Sequence, residues 1–512
     1  MKGGTIMYNN YVKLENLQEI MQDANEFNVE RIKKLNGILD RGINAYPYTF
    51  NPNSTSTYIL NNFENINPEE SFTIAGRIML LRRMGKVTFL NLSDQDGNIQ
   101  VYISKNDIGE EAYEVIKLLD TGDIIGVEGT VFRTKTNEIT VKASSITILS
   151  KSIRPLPEKY HGIQDADLRL RHRSLDMIMN QEVRERFMNR SRAMFAIRGF
   201  MTSRGFMEMD TPILDTKYGG GEAKPFITKV NAMDCEVFMN VSPELYLKRL
   251  IVGGIDRVFS MGRSFRNEGI DRTHYPEFTL FECYMAYADY NDMMRLMEEL
   301  YEDVFLKVKG TTKAVYDGME IDFKAPWKRE TMCNLVLKDT GIDVERLTRD
   351  EIVTLVEEKS LLREEIAEGF DLQEANKGDL ILTLFEAYSE SKLIEPTFVI
   401  DFPLDSSPLC KVHRENEELI ERFEPYAFGV ELGNAYSELN NPLRQRILLH
   451  EQADKLRAGF ETASPMDEEF AVAIDVAMPP TGGLGIGIDR MMMFLTNSSS
   501  IRDVIAFPLV KR

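Results

Sequence analysis

The chain has 512 residues and is acidic, with 81 Asp and Glu against 61 Lys and Arg and a formal net charge of −20 at pH 7. At roughly 150 residues per domain, this length predicts two or three domains with a sizeable core. Apolar residues make up 43% and charged residues 28% of the chain, which excludes a disordered or fibrous protein. The acidic balance excludes polyanion binding by the whole surface, but not by one local basic groove.

No run of residues approaches the ~18–20 uninterrupted apolar residues that span a bilayer. The first residues also lack the apolar stretch of a signal peptide. The four cysteines, Cys235, Cys283, Cys333 and Cys410, lie far apart without a C-x-x-C motif, which argues against a disulfide scaffold or a zinc ribbon. We therefore expect a cytoplasmic protein without a membrane partner.

Residues 1–71 are predicted to form a helical N-terminal extension. Ile32, Leu35, Ile38 and Leu39 follow a helical period, which indicates a helix that packs on the next domain. The alternative is a basic arm that contacts nucleic acid, and the frequent Asp and Glu residues disfavour it.

Residues 72–150 are predicted to form a small β-barrel. Five short strands begin at Phe72, Val87, Ile99, Ile124 and Ile139. A helix near 107–119 fits between the third and fourth strands. Five strands with an interposed helix are typical of an OB-fold, whose open face binds oligonucleotides, and a purely structural barrel is the alternative.

The prolines of Arg154-Pro-Leu-Pro157 mark a linker, placed at 151–172, because proline neither continues a helix nor donates to a sheet. Residues 173–512 are predicted to form one large domain with both helices and strands. Within it, residues 330–395 form an acidic, helical insertion without a recognisable motif.

Polar and charged residues stand at three places where a core would prefer apolar ones. The first lies between Met261 and Tyr284. From Phe278 to Tyr284, alternation predicts a strand that carries Phe278, Leu280, Glu282 and Tyr284 on one face. A carboxylate between aromatic side chains is costly to bury unless a cation pairs with it. The alternative is a surface strand with an exposed glutamate.

The second polar stretch runs from Arg422 to Leu439. Glu424 and Glu431 are seven residues apart, and a polar series continues through Asn434 and Glu438. Carboxylates that converge with a nucleotide suggest Mg²⁺ or Mn²⁺, which take oxygen ligands and share substrate phosphates. In isolation, a solvated face is the simpler interpretation.

The third stretch runs from Gly482 to Leu495. Its glycines allow close approach to a ligand, but Gly485-Ile-Gly487 lacks the G-x-G-x-x-G spacing and no P-loop follows. Arg490, at the start of an apolar helical run, could clamp a phosphate, because its guanidinium is permanently charged and bidentate. The alternative is a helix-packing turn with a salt-bridged arginine.

Other catalytic schemes find little support in the sequence. It contains five histidines and neither an H-E-x-x-H nor a G-x-S-x-G motif. This argues against zinc-hydrolase or serine-nucleophile chemistry.

The three stretches together resemble the signature motifs of class II aminoacyl-tRNA synthetases, specifically the bacterial-type lysyl-tRNA synthetases. Motif 1 corresponds to a helix around 190–204 and a strand at 205–212, motif 2 to 265–284 and motif 3 to 485–490. The segments Ser242-Pro-Glu-Leu-Tyr-Leu-Lys248 and Phe265-Arg-Asn-Glu-Gly269 are lysyl-like, whereas aspartyl and asparaginyl relatives typically differ at both places.

The resemblance covers about residues 30–512 and implies an α+β multidomain fold. A five-stranded OB-fold β-barrel at 72–150 would bind the anticodon. Residues 173–512 would form the class II catalytic domain, with an antiparallel sheet flanked by helices. The family joins lysine and ATP into lysyl-adenylate and pyrophosphate, then transfers lysine to the 3′ end of tRNA(Lys). The implied cofactor is Mg²⁺, and the implied assembly is a homodimer through motif 1.

Family roles carry over to the residues that match its motifs. The implied catalytic residues are Arg266 and Arg490. The implied ATP contacts are Arg266, Glu268, His274, Phe278 and Arg490. The implied lysine contacts are Gly220, Glu244, Arg266, Tyr284, Asn434, Tyr436 and Glu438. The implied magnesium ligands are Glu424 and Glu431, and the implied anticodon contacts are Phe89, Gln100 and Glu138.

The implied chemistry is physically consistent with these residues. Attack of a carboxylate on a phosphoanhydride needs alignment and charge neutralisation, which two arginines and Mg²⁺ supply, and no general base. Glutamates in the amino-acid pocket select a cationic side chain. The chain departs from many members at Gly221, where alanine is common, at Cys283, where leucine is common, and at Tyr436, where phenylalanine is common.

Two other functions are carried as alternatives. One is a related ligase that charges a protein lysine instead of tRNA, although such proteins typically lack the barrel. The other is an inactive tRNA-binding or regulatory protein, in which an unused site such as Arg266, Glu424, Glu431 and Arg490 would be expected to erode.

Overall fold

The computed structural model describes residues 21, 23, 25–157, 165–221, 223–359, 361, 372, 375–460 and 463–510. Parts of three predicted regions lie outside these residues: the start of the N-terminal extension, the linker at 158–164 and the middle of the 330–395 insertion. The chain divides into two compact units, residues 1–164 and 165–512. No helix within the described ranges is long and apolar enough to cross a membrane.

The N-terminal unit contains a closed five-stranded barrel with the strand order β1-β2-β3-β5-β4. Its strands are β1 (Phe72–Met84), β2 (Val87–Ser93), β3 (Asn98–Ser104), β4 (Ile124–Arg133) and β5 (Ile139–Ser150). Its helices are α1 (Glu26–Leu39), α2 (Ser56–Asn62), α3 (Lys105–Ile108) and α4 (Glu110–Ile116), with a 3₁₀ turn at Phe63–Asn65. The predicted five-stranded barrel with helical residues between its third and fourth strands is confirmed.

Helix α1 packs on this barrel through its polar side chains as well as its apolar stripe. Ile32, Leu35 and Ile38 are buried, as the sequence period indicates. Arg31 donates to the carbonyl oxygen of Thr121 at 2.9 Å. These contacts agree with a packed helix and not with a free arm.

The C-terminal unit is built on a large mixed sheet. The strands of this unit are β6 (Met207–Glu208), β7 (Leu214–Asp215), β8 (Ile227–Val230), β9 (Cys235–Met239), β10 (Arg257–Phe265), β11 (Glu277–Ala286), β12 (Lys313–Tyr316), β13 (Met319–Asp322), β14 (Lys328–Thr331), β15 (Thr397–Pro403), β16 (Leu419–Ala427), β17 (Val430–Glu431), β18 (Gly433–Ser437) and β19 (Thr481–Gly487). Strands β7, β9 and β8 form a separate three-stranded sheet, and β12 and β13 form a two-stranded sheet. The main sheet has the order β14-β15-β16-β18-β19-β11-β10-β6, and β17 pairs with β16. Neighbours are antiparallel except β14 with β15 and β10 with β6.

Helices flank this sheet, as the class II resemblance predicts. They are α5 (Ala166–Arg171), α6 (Arg173–Met179), α7 (Gln181–Ser203), α8 (Glu244–Val252), α9 (Tyr290–Lys309), α10 (Met332–Thr340), α11 (Arg349–Glu358), α12 (Lys377–Tyr388), α13 (Pro442–Arg457), α14 (Glu468–Asp475), α15 (Ile488–Leu495) and α16 (Ile501–Val504), with 3₁₀ turns at Glu390–Lys392 and Leu404–Ser406. The predicted α+β fold class is thus confirmed.

The two faces of the sheet differ in what covers them. Phe281, Leu484 and Ile486 point into an apolar core that includes Met293 of α9 and Phe494 of α15. Side chains alternate along a strand, so the residues next to these on β11 and β19 point to the opposite face of the sheet. There they meet a second core that contains α8 and α14, and the open part of that face forms a cavity.

The motif 1 strand is shorter than predicted, and strand β5 is long and irregular. The motif 1 strand predicted at 205–212 is regular only at Met207–Glu208, where it pairs with the edge of β10. Strand β5 runs without a break from Ile139 to Ser150. It pairs with β4 through a register shift between Glu128 and Gly129, and the irregularity lets the strand curve around the barrel.

Candidate active site

A cavity of about 410 Å³ opens on the second face of the main sheet. Its volume falls in the ~300–1,000 Å³ range of small-molecule sites. All of the residues predicted for catalysis, ATP, lysine and magnesium line it. They are Gly220, Glu244, Arg266, Glu268, His274, Phe278, Tyr284, Glu424, Glu431, Asn434, Tyr436, Glu438 and Arg490.

The floor of the cavity is strand β19, whose alternate residues Gly483, Gly485 and Gly487 line it. Strand register places Gly483 between Tyr284 on β11 and Tyr436 on β18. A Cβ atom on Gly483 would lie 2.0 Å from Glu438 Oε1 and 2.6 Å from a Tyr284 ring carbon. A glycine is therefore required here, because side chains from the neighbouring strands converge over its backbone.

One end of the cavity is acidic and buried. Glu244, Glu282 and Glu438 are 5%, 6% and 1% exposed. Ser242 Oγ donates to Glu282 Oε1 at 2.6 Å, and Tyr284 OH donates to its Oε2 at 3.1 Å. Two hydroxyl groups thus hold the Glu282 carboxylate, and the positive charge of Arg266 also acts on it. Burial, with the negative charge of Glu244, raises the pKa of Glu282 to about 8.

A buried lysine stands behind this acidic end. Lys248 is 1% exposed, and its Nζ lies 2.6 Å from Glu244 Oε1 and also contacts Glu438 Oε2. The ammonium group lies 5.9 Å from the ring centre of Tyr284 and 5.3 Å from that of Tyr436. Burial disfavours its charged form, but the two carboxylates outweigh burial and raise the pKa of Lys248.

Glu438 has a buried, unsatisfied polar atom in the cavity. Its Oε1 atom is buried and has no hydrogen-bond partner among the described residues. Burial raises the pKa of Glu438 well above its ordinary value, against the lowering effect of Lys248. A buried carboxylate oxygen without a donor is costly, and a ligand cation in the cavity would remove that cost.

Arg266 and Phe278 form one wall beyond the acidic end. The Arg266 guanidinium lies 5.2 Å from the ring centre of Phe278, and its buried Nε has no hydrogen-bond partner in the described part of the chain. Burial lowers the pKa of Arg266, and Glu431, Glu268 and Glu282 counteract that effect. This side chain is thus placed to receive an anion.

Arg490 forms the other cationic wall and is held from two sides. Its NH1 donates to the Glu431 carbonyl oxygen at 2.7 Å and to Glu431 Oε2 at 3.1 Å. Its NH2 lies 3.0 Å from His274 Nε2, and His274 Nδ1 lies 2.7 Å from Asp271 Oδ2. Both contacts are hydrogen bonds if Nδ1 carries the histidine proton. Asp271 then orients His274, which orients Arg490.

Helix α15 is itself fixed by its second residue, Asp489. Thr279 N donates to Asp489 Oδ2 at 2.6 Å, and Arg190 NH1 of α7 lies 2.6 Å from Asp489 Oδ1. Arg190 also donates to Thr279 Oγ1 at 2.8 Å. The motif 1 helix, the motif 2 strand and the motif 3 helix therefore meet at one buried carboxylate.

Glu424 and Glu431 stand on neighbouring strands on the cavity side. Glu431 pairs with Tyr426, which lies two residues from Glu424 and so on the same face of β16. Arg422 donates to Glu424 Oε1 at 2.6 Å, and Tyr426 OH donates to Oε2 at 2.6 Å. Burial and Glu431 raise the pKa of Glu424, although Arg422 acts in the opposite direction.

No group of three or more His, Cys, Asp or Glu side chains in the described ranges is arranged to hold a metal ion. A pair of carboxylates nevertheless fits Mg²⁺, which commonly binds through one or two carboxylates and the substrate phosphates. The negative charge of Glu431 raises the pKa of Glu424, and a divalent cation would offset this effect.

The three predicted anticodon residues lie together on the barrel, in the N-terminal unit. Gln100 Nε2 donates to Glu138 Oε2 at 2.7 Å, and Thr140 Oγ1 donates to Gln100 Oε1 at 2.9 Å. Phe89 meets Tyr102 edge to face, with ring centres 5.2 Å apart. Hydrogen-bonding groups thus stand beside aromatic rings on one face of β2 and β3.

Sequence reasoning missed several residues of these two surfaces. Ser242, Lys248 and Arg422 hold the carboxylates of the cavity, and Tyr102 extends the aromatic face of the barrel. The four-residue spacing of Glu244 and Lys248 was a signal for their contact on a helix, but nothing local indicated that Glu438 joins them.

Comparison with known proteins agrees with this geometry. Residues 165–511 match the family described as tRNA synthetases class II (D, K and N), and residues 72–149 match the OB-fold nucleic acid binding domain family. Fold and cavity thus define a class II tRNA synthetase. The chain is 47% identical to a lysine–tRNA ligase of Clostridium novyi (strain NT) over 490 residues, 95% of each chain. It is 47% identical to those of Pelotomaculum thermopropionicum, over 96% of each chain, and Thermoanaerobacter sp. (strain X514), over 97% and 98%.

The chain therefore belongs to the lysine–tRNA ligase family of class II aminoacyl-tRNA synthetases, which are ATP-dependent ligases. This confirms the family, fold class and enzyme type that the motifs predicted.

Proposed function

We propose that the cavity of the C-terminal unit activates L-lysine with ATP, giving lysyl-adenylate and pyrophosphate, and then transfers lysine to the 3′ end of tRNA(Lys). The observation that carries this proposal is the polarity of the cavity. Buried carboxylates, one with an unpartnered oxygen, form one end, and Arg266 and Arg490 form the other. The acidic end complements the charge of an amino acid with a cationic side chain, and the arginine end complements the charge of a nucleoside triphosphate.

Lysine is proposed to bind at the acidic end. Glu438 would receive the ε-ammonium, with Tyr284, Asn434 and Tyr436 around the side chain. Gly220 and Glu244 would contact the α-amino group, and Arg266 the carboxylate. A side chain without an ammonium would leave Glu438 Oε1 buried without a partner, at a cost of several kcal/mol in order of magnitude.

ATP is proposed to bind along the arginine walls. Phe278 would stack on the adenine and Glu268 would hydrogen-bond to it. Arg266 would hold the α-phosphate, while Arg490 and His274 would hold the terminal phosphates. Glu431 and His274 already fix the Arg490 guanidinium. The side chain would therefore lose little conformational freedom when phosphate binds.

Glu424 and Glu431 are the residues that would hold Mg²⁺. When bound, the ion would neutralise phosphate charge as pyrophosphate leaves.

The chemical work of the chain's own residues is alignment and neutralisation. A lysine carboxylate oxygen attacks the α-phosphorus, and the bond from that phosphorus to the bridging oxygen breaks, so that pyrophosphate leaves. Arg266 can contact the attacking carboxylate and the α-phosphate together, which brings the reacting atoms into line. In the second step a ribose hydroxyl of the tRNA 3′ end attacks the lysyl carbonyl, and AMP leaves.

The barrel is proposed to bind the anticodon of tRNA(Lys) through Phe89, Gln100 and Glu138. A base would stack on Phe89 and have its edge read by the two polar side chains. The cytoplasm, where tRNA and ATP are available, is the proposed location.

We further propose a homodimer through motif 1. Phe195, Met207, Leu214 and Ile227 are 71%, 56%, 48% and 58% exposed, although they are apolar. Strand β6, which carries Met207, ends the main sheet and leaves an open edge. A second copy of the chain would cover both features, so light scattering should give twice the 58.7 kDa chain mass. F195E should shift the protein towards the monomer.

ATP–pyrophosphate exchange with each of the twenty amino acids tests the activation step. Exchange with lysine alone is the expected result. Exchange with aspartate or asparagine would contradict the acidic pocket, and no exchange with any amino acid would favour an inactive tRNA-binding protein.

A further inference from the structure

Three buried carboxylates and one buried ammonium meet at the acidic end of the cavity. Glu244, Glu282 and Glu438 line the cavity, and Lys248 lies against two of them at 1% exposure. When all are ionised, the cluster keeps two negative charges. Free L-lysine carries two ammonium groups, one on Cα and one at the end of the side chain.

We infer that Lys248 is a positioning residue for amino-acid specificity, whose ammonium group cancels one carboxylate charge so that the remaining two match the two ammonium groups of lysine. The inference rests on the proposed lysine pocket, and goes beyond it by assigning a role to a residue behind the cavity wall. Lys248 acts through Glu244 and Glu438 and does not touch the substrate.

The contacts of Lys248 explain how it acts. It takes one oxygen of Glu438 and leaves Oε1 without a donor among the described residues, so a single oxygen is presented to the ligand. Glu244 Oε1 receives both Lys248 Nζ and Tyr436 OH. Lys248 therefore fixes both carboxylates in orientation as well as in charge.

Other titratable groups that face the cluster stay in one form near neutral pH. Burial raises the pKa of Tyr284, Tyr436 and Cys410 well above their ordinary values, which keeps these groups neutral. Among the described residues, Arg266 and Arg422 also act on the cluster as cations, and arginine remains charged. The pH dependence of lysine binding therefore reports Glu282 and Glu438, whose pKa values are raised by burial.

The test is the pH profile of KM for lysine in ATP–pyrophosphate exchange with the full chain, between about pH 6 and 9.5. A protonated carboxylate must lose its proton to receive an ammonium. Log KM of the native chain should fall with rising pH and level off above a break in the profile. That break should lie near the pKa of Glu438. K248M removes the positive neighbour, so the break should move up by about one pH unit or more. KM at pH 7 should then rise about tenfold or more, while kcat at saturating lysine changes little.

Two further variants separate charge from packing. E244Q should move the break down, because one negative neighbour is lost. The double variant K248M/E244Q keeps the net charge and should return the break towards the native position. If K248M does not fold, these two variants still decide the question, since a purely structural Lys248 predicts no restoration.

K151M is the matched control. Lys151 is a buried, ion-paired lysine of the N-terminal barrel, with Nζ 2.8 Å from Asp120 and 3.0 Å from Asp123. Its loss should lower the melting temperature without moving the break. If the break in the K248M profile lay at the same pH as in the native chain, the inference would be overturned. If E438Q also left KM for lysine unchanged, the proposed pocket itself would be wrong.

Discussion

Replacing Glu438 with glutamine tests the assignment of the ε-ammonium site most directly. The change removes the charge of a side chain that is 1% exposed and keeps its shape. Lys248 retains Glu244 Oε1 at 2.6 Å, so the fold should survive. The loss should therefore fall on the substrate, whose ammonium group would meet an amide oxygen instead of a carboxylate.

The magnitude follows from the burial of this contact. Removing one partner of a buried, hydrogen-bonded charge pair costs about 2–5 kcal/mol, and glutamine keeps an acceptor oxygen, which favours the lower part of that range. A cost of about 2–3 kcal/mol corresponds to a 30- to 150-fold rise in KM for lysine. Since lysine keeps this contact in the ground state and the transition state alike, kcat should change little.

The assay is ATP–pyrophosphate exchange with lysine and with norleucine, which lacks the ammonium group. E438Q should reduce the preference for lysine over norleucine by about the same factor. The control is E320Q on the exposed strand β13, whose ion pair with Lys313 is on the surface and should contribute little. A rise in KM below threefold, with the lysine preference intact, would place the ε-ammonium elsewhere.

Three other changes should separate the parts of the enzyme. R266A should lower kcat for exchange about 10²- to 10³-fold, as for the loss of one preorganised cationic donor, and activity within tenfold of native would contradict its role. G483A should raise KM for lysine, because the new Cβ would lie 2.0 Å from Glu438 Oε1, whereas G262A, with nothing within 4 Å, should not. F89A should raise KM for tRNA(Lys) about 5- to 150-fold, the equivalent of ~1–3 kcal/mol of stacking, and leave amino-acid activation unchanged.

The strand elements of the site were predictable because their pattern is local. Alternation from Phe278 to Tyr284 indicates a strand, and three glycines at 483, 485 and 487 have the same period of two. The sequence could not show which face of β19 is bare, because that depends on packing of Leu484 and Ile486 into the core. Each family motif is a short segment with its own regular structure, which makes it recognisable in the sequence. The motif residues converge on one cavity because the strands that carry them are neighbours in the main sheet.

What the sequence could not reveal are partners brought together from distant segments. Glu244 and Lys248 are four residues apart, a spacing that usually means an exposed helical ion pair. Only the third member, Glu438, shows that this pair is buried and belongs to the site. The partners of Glu282 were likewise not predictable, since the hydroxyl groups that hold it come from Ser242 on another segment and from Tyr284 on the same strand face.

The sheet also fixes how far apart the two ends of the cavity lie. Tyr284 pairs with Gly483 at the acidic end, and Leu280 pairs with Gly487 where α15 and Arg490 begin. Four residues of strand at about 3.4 Å each put these rows roughly 14 Å apart. Backbone hydrogen bonds hold that distance, so a substrate must reach from the carboxylates to the arginines with its own length. If lysine binds as proposed, selection by charge at Glu438 and selection by length along β19 would act together, and a cation of the wrong length would satisfy one end of the cavity at the expense of the other.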